Sequence, residues 1–93
     1  MRTRGDVMTL DKIIIELEKR QSVLHERLEK YRYERSEIRY TEPFRAMTDK
    51  EIGDDPEIYR KLLKKEKPYT EKIGQLEYEK SRINDILYAY RNP

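Results

Sequence analysis

The chain has 93 residues, 35% of them apolar and 43% charged, with no cysteine and a formal net charge of +2. That length bounds it to one small domain, and that composition to a narrow apolar seam rather than a globular core. It excludes disulfides and thiolate chemistry, its net charge is too small to imply a nucleic-acid partner, and no run approaches the roughly 18 apolar residues of a membrane span or forms the core of a signal peptide. The expected location is the cytoplasm.

Residues 1–8 show no periodicity, carry Arg2, Arg4 and Gly5, and read as a flexible basic arm. From Thr9, a plausible N-cap followed by Asp11 at the positive end of the helix dipole, the spacing predicts a helix over 9–40. Its seam reads Leu10, Ile14, Leu17, Gln21, Leu24, Leu28, Tyr31, Arg35 and Ile38, in the alternating steps of four and three residues of an a/d stripe. Pro43 ends it, because the residue before a proline is driven out of helical geometry. A connection over 41–55 follows. In it Thr48 and Glu51 stand at capping-box spacing, predicting one short helical turn ended by Gly53.

Asp55 and Pro56 then restart a helix, Asp as N-cap and Pro at the first position. The stripe resumes as Tyr59, Leu62, Glu66, Tyr69, Ile73, Leu76, Lys80, Ile83, Leu87 and Tyr90. Pro68 removes a helical hydrogen bond and predicts a kink or break over 64–67, making 56–91 a jointed helix.

Run backwards, the second stripe fits the first. With a turn near residue 50, position i faces a position near 100 − i. Gln21 then meets Lys80, and Arg35 meets Glu66, as buried polar pairs that set register. On the flanks Arg20 falls near Glu79, Glu34 near Lys65, Asp11 near Arg91 and Ile13 near Ile86, with Arg27 and Lys72 the one repulsive pair. Charge matching of this kind specifies orientation. The fold class is all-α: a long antiparallel coiled-coil hairpin, one domain over 9–93.

A hairpin buries one stripe, and small cores supply little net stability. The same register gathers Ile13, Ile15, Leu17, Ile83, Ile86, Leu87, Tyr88 and Tyr90 at the end far from the turn. That concentration predicts a self-association surface, a homodimer closing into a four-helix bundle.

Catalysis and metal binding find no support. His25 is the single histidine, on a flank where Glu77 is expected nearby, and a metal site needs more ligands. No glycine-rich phosphate loop occurs. No catalytic residue, metal ligand or cofactor is assigned. The turn end interleaves tyrosine with arginine. Arg32, Tyr33, Arg39, Tyr40 and Arg45, joined by Arg60 and Lys64, are the candidates for a partner or for nucleic acid, tyrosines stacking on bases and cations contacting phosphates. Glutamates 29, 34 and 37 stand at salt-bridging spacing in the same stretch, and residues 49–57 hold five acidic side chains against one lysine. The functional reading is a non-enzymatic assembly protein acting through protein–protein contact, with nucleic-acid binding as the alternative. In general style the chain looks like the small helical accessory proteins of phage and viral genomes, on no particular motif.

Overall fold

The structure, a computed structural model, describes residues 4–92, with side chains from Leu10 onward. Helix α1 spans Arg4–Ile38, a 3-10 turn spans Phe44–Ala46, α2 spans Asp49–Asp54 and α3 spans Pro56–Arg91. Helices α1 and α3 pack along each other, and α2 packs on α3. The result is the expected antiparallel hairpin, a rod of 67 × 18 × 16 Å. Its radius of gyration, 20.4 Å, far exceeds the roughly 12 Å of a compact domain this long.

The helix begins earlier than the spacing predicts. Thr9 lies inside α1 rather than at its cap, and the arm expected over 1–8 is helical from Arg4. Gly5 is the one poor helix former between Arg4 and Thr9, and a single glycine costs only about 1 kcal/mol. Residues 1–3 of the expected arm lie outside the described residues. At its other end α1 tightens into i to i+3 bonds, from the N–H groups of Arg39, Tyr40 and Thr41 to the carbonyls of Ser36, Glu37 and Ile38. This is a common way of satisfying terminal carbonyls.

Local signals place the rest. The Thr48 hydroxyl accepts from Glu51 N–H at 3.1 Å and the Glu51 carboxylate accepts from Thr48 N–H at 3.1 Å, the reciprocal capping box the spacing predicts. Asp55 caps α3 by accepting from Glu57 and Ile58 N–H at 3.1 and 3.2 Å, with Pro56 opening the helix.

Helix α3 is continuous through Pro68, so the expected break is absent. Pro68 is exposed, which leaves its ring in water. The stripe stays in phase across it, half-buried Leu62, Glu66 and Tyr69 leading into buried Ile73. Seam packing on both sides holds the helix against the lost bond.

The core follows the two stripes. Leu24, Ile83 and Leu87 form a buried cluster with Ile14, Leu17 and Leu76 packed against it, and Leu28 and Ile73 are also buried. The remaining stripe positions are half-buried, except Tyr59 and Tyr90 at the ends, which are exposed. Two buried side chains come from the connection: Phe44, at 0% exposure, and Ile52.

Two predictions follow from local structure. Replacing Pro68 by Ala restores the missing bond without touching the seam, and raises stability by about 1–3 kcal/mol in urea unfolding; no gain would show that the packing nearby needs the proline. Hydrogen bonds from Thr48 lower the Glu51 pKa below its ordinary 4.5. The capping contribution is therefore complete above pH 4.5 and is lost as pH falls through the lower folded value. Amide exchange at Thr48, whose N–H the Glu51 carboxylate accepts, accelerates over that acidic window, and Glu51→Gln removes the pH dependence.

Candidate functional site

The surface of a rod is its functional site. The first question is which polar side chains are spent on holding the two helices in register. On one flank Arg20 donates through Nε and a terminal nitrogen to Glu79, at 2.9 and 2.8 Å, the pairing expected from the complement. One heptad toward the turn on each helix stand Arg27 and Lys72, the predicted repulsive pair. Lys72 turns its ammonium over the Tyr31 ring, 5.1 Å from the centroid, and Tyr31 meets Tyr69 at 6.4 Å. A further heptad on, Lys65 lies over the Phe44 ring at 5.4 Å rather than bridging Glu34.

The other flank runs in a longer step than predicted. Arg91 takes Glu18 at 3.3 Å, not Asp11, and Arg32 takes Glu77 at 3.0 Å. Between these bridges lies a layer without acidic side chains: Gln21 donates to Asn84, and Lys80 donates to His25 Nδ1 at 3.2 Å. His25 thus faces Lys80 rather than Glu77. The expected register pairs do not form. Gln21 and Lys80 take other partners, Arg35 donates to Thr70 at 3.4 Å, and Glu66 makes no ion pair among the described residues. All four are half-buried; among the described residues no polar side chain is buried.

At the turn end the arginines expected to face a partner are mostly engaged within the chain. Arg39 is the clearest case. It donates to the carbonyl of Phe44, to the carbonyl of Met47 at 2.6 Å and to Asp49 Oδ1 at 3.0 Å. Its fork ties the connection down over Phe44, so it is a structural clamp rather than a free contact. Arg32 bridges Glu29 as well as Glu77, and the hydrogen bond it donates to Glu77 raises its pKa above the ordinary value. Arg45 pairs with Glu42 at 3.2 Å. Tyr33, Tyr40, Arg60 and Lys64 stay exposed. Phe44 is the residue that sequence reasoning missed; the one signal available was that it is the single phenylalanine of a chain with a narrow core.

At the far end the structure divides the predicted self-association set. Leu17, Ile83 and Leu87 belong to the hairpin's own core. Ile13, Ile15, Ile86, Tyr88 and Tyr90 are exposed. One heptad beyond Arg20 and Glu79 stand Ile13 and Ile86, and Val23, nearly three turns along α1 from Ile13, shares their side. Lys12, Ile13, Glu16 and Leu17 line a shallow hollow there. Ile15 and Tyr88 lie on the opposite flank. Among the described residues no three His, Cys, Asp or Glu side chains converge to hold a metal ion, and no helix is long and apolar enough to cross a membrane.

The clamp is testable. Arg39→Ala leaves two carbonyls without their charged donor and lowers stability by about 2 kcal/mol, with faster amide exchange over residues 44–52. Arg39→Lys keeps the charge but not the fork and recovers less than half of that loss. An unchanged midpoint would return Arg39 to the surface contacts. Compared with known proteins, the chain matches no family model, no curated protein and no solved structure.

Proposed function

We propose that this chain is a non-enzymatic assembly protein that pairs with a second copy along the flank carrying Ile13, Val23 and Ile86, closing into a four-helix bundle. The observation that carries the reading is the apolar surface left outside the seam on that flank. Ile13 and Val23 are each 38% exposed and Ile86 41%, along one flank of the half of the rod far from the turn, outside a seam whose own core is already filled.

The size of the surface supports it. The chain exposes 7576 Å², where a compact monomer of 11.4 kDa would expose roughly 5,800 Å². The excess is the cost of the rod shape, and it is larger than the roughly 800 Å² per partner that a stable interface buries. Laying two rods side by side recovers it, with Ile13 and Ile86 near the centre and Glu16 and Arg82 as flanking charges. A cytoplasmic accessory or regulatory protein, of the kind that phage and viral genomes carry, would use such a bundle as a scaffold. The nucleic-acid alternative keeps Tyr33, Tyr40, Arg60 and Lys64, but its arginine row is held by Glu29, Glu77, Thr70 and the connection.

Sedimentation equilibrium tests the proposal. The expected result is a dimer for the natural chain and a monomer of unchanged helicity for Ile13→Asp with Ile86→Asp. A monomeric natural chain at all concentrations, or a dimer indifferent to the two substitutions, overturns it.

A further inference from the structure

Between residues 58 and 67 the chain carries Arg60, Lys61, Lys64, Lys65 and Lys67 against a single acidic residue, Glu66. Lys65 is turned toward the connection by Phe44. Arg60, Lys64 and Lys67 instead line an open groove of about 470 Å³ together with Leu63, Glu66 and Thr70. Leu63 is 47% exposed, and the aliphatic stems of the three cations extend the apolar floor around it while their charges reach solvent. Among the described residues Arg60 and Lys64 make no ion pair, and Lys67 approaches Glu71 only at 3.9 Å between two exposed side chains. Pro68 adds one more feature. It has no N–H, so the Lys64 carbonyl, one turn back, has no helical donor from that position.

We infer that this groove docks an acidic amphipathic segment of another protein, one apolar side chain seated on Leu63 and its carboxylates on Arg60, Lys64 and Lys67. Charge complementarity selects the partner: the nearby Arg32, Arg35, Arg39 and Arg45 have partners within the chain, whereas among the described residues Arg60 and Lys64 make no ion pair and Lys67 makes only the long one with Glu71. Nucleic acid fits less well. No aromatic ring lines the groove to stack a base, and an apolar floor offers nothing to a phosphate backbone. The groove lies in the turn half of the rod, away from Ile13 and Ile86, so it does not depend on self-association.

The test is fluorescence anisotropy on the full chain with a short labelled peptide bearing Glu and Asp around one central Leu. The comparison probes are the same peptide with Ser for Leu, oligo-dT of equal charge, and phosphatidylserine vesicles. The Leu peptide is expected to bind about tenfold more tightly than the Ser peptide, the effect of burying one leucine side chain. Lys64→Glu with Lys67→Glu should weaken both peptides by about tenfold or more, the residues being exposed and the fold checked by circular dichroism. Leu63→Ser should erase only the difference between the peptides. Equal binding of the two peptides by the natural chain overturns the inference, as does oligo-dT or vesicle binding as tight as the Leu peptide's, or indifference to the substitutions. Because the readout is peptide affinity, a monomeric chain would leave this result standing.

Discussion

The seam between α1 and α3 is one side chain wide, so the register in which the two helices meet decides almost everything else. Leu24, Leu28, Ile73, Ile83 and Leu87 are buried only because each helix turns the same stripe toward the other along its length. A shift of one residue would carry that stripe away from its partner. The polar bonds on the flanks are exposed and individually weak, but they are spaced to agree. Glu18 and Arg32 stand two heptads apart on α1, as Glu77 and Arg91 do on α3, with opposite charges facing at each step. Between them the hydrogen bonds of Gln21 with Asn84 and Lys80 with His25 occupy the intervening heptad. Energy comes from the leucines and isoleucines, alignment from the ladder.

That division explains what was legible beforehand. Membership of the seam was written in the four-three spacing. Every stripe residue of α1 proved buried or half-buried, and on α3 all but the terminal Tyr59 and Tyr90 did. The pairing across the seam was legible on one flank only, and there only in part, since Lys65 turns to Phe44 and not to Glu34. A single complement placed Arg20 on Glu79 correctly, yet assigned Arg91 to Asp11 and Gln21 to Lys80. With 3.6 residues per turn, the positions bordering the seam on its two sides sit at different heights, and one rule cannot serve both. The polar interruptions expected to meet in the seam therefore reach sideways to flank partners such as Asn84, His25 and Thr70.

The connection was the least legible part, for a different reason. Its capping box and the Asp55 cap are local patterns and read directly. Its packing is not local. Phe44 is buried because Arg39, from just beyond the end of α1, wraps its guanidinium onto the carbonyls of Phe44 and Met47 and onto Asp49. Nothing in the spacing of an arginine row tells a residue that closes a loop from one that awaits a partner. Pro68 posed the reverse problem. Its local signal was strong, yet α3 runs on through it, because seam contacts on both sides outweigh one missing bond in an exposed turn.

Sorting the cations by what holds them turns an evenly charged surface into one with a direction. Arg20, Arg32, Arg39 and Arg91 hold the hairpin and its connection together, and Lys65 and Lys72 are turned over aromatic rings. After that subtraction Arg60, Lys61 and Lys64 stand together in the first turns of α3, beside Leu63, while Lys12, Arg27, Lys30 and Arg82 are left singly along the rod. The apolar surface left over lies at the other end, around Ile13 and Ile86. A rod with a filled seam, one apolar end and one basic groove has two separate places to make contacts. A structural ion pair must be bridged across two helices, whereas a docking cation needs only to be held near an apolar floor. Arg60, Lys64 and Lys67 meet the second condition and not the first, which distinguishes them from the arginines that the sequence places beside them.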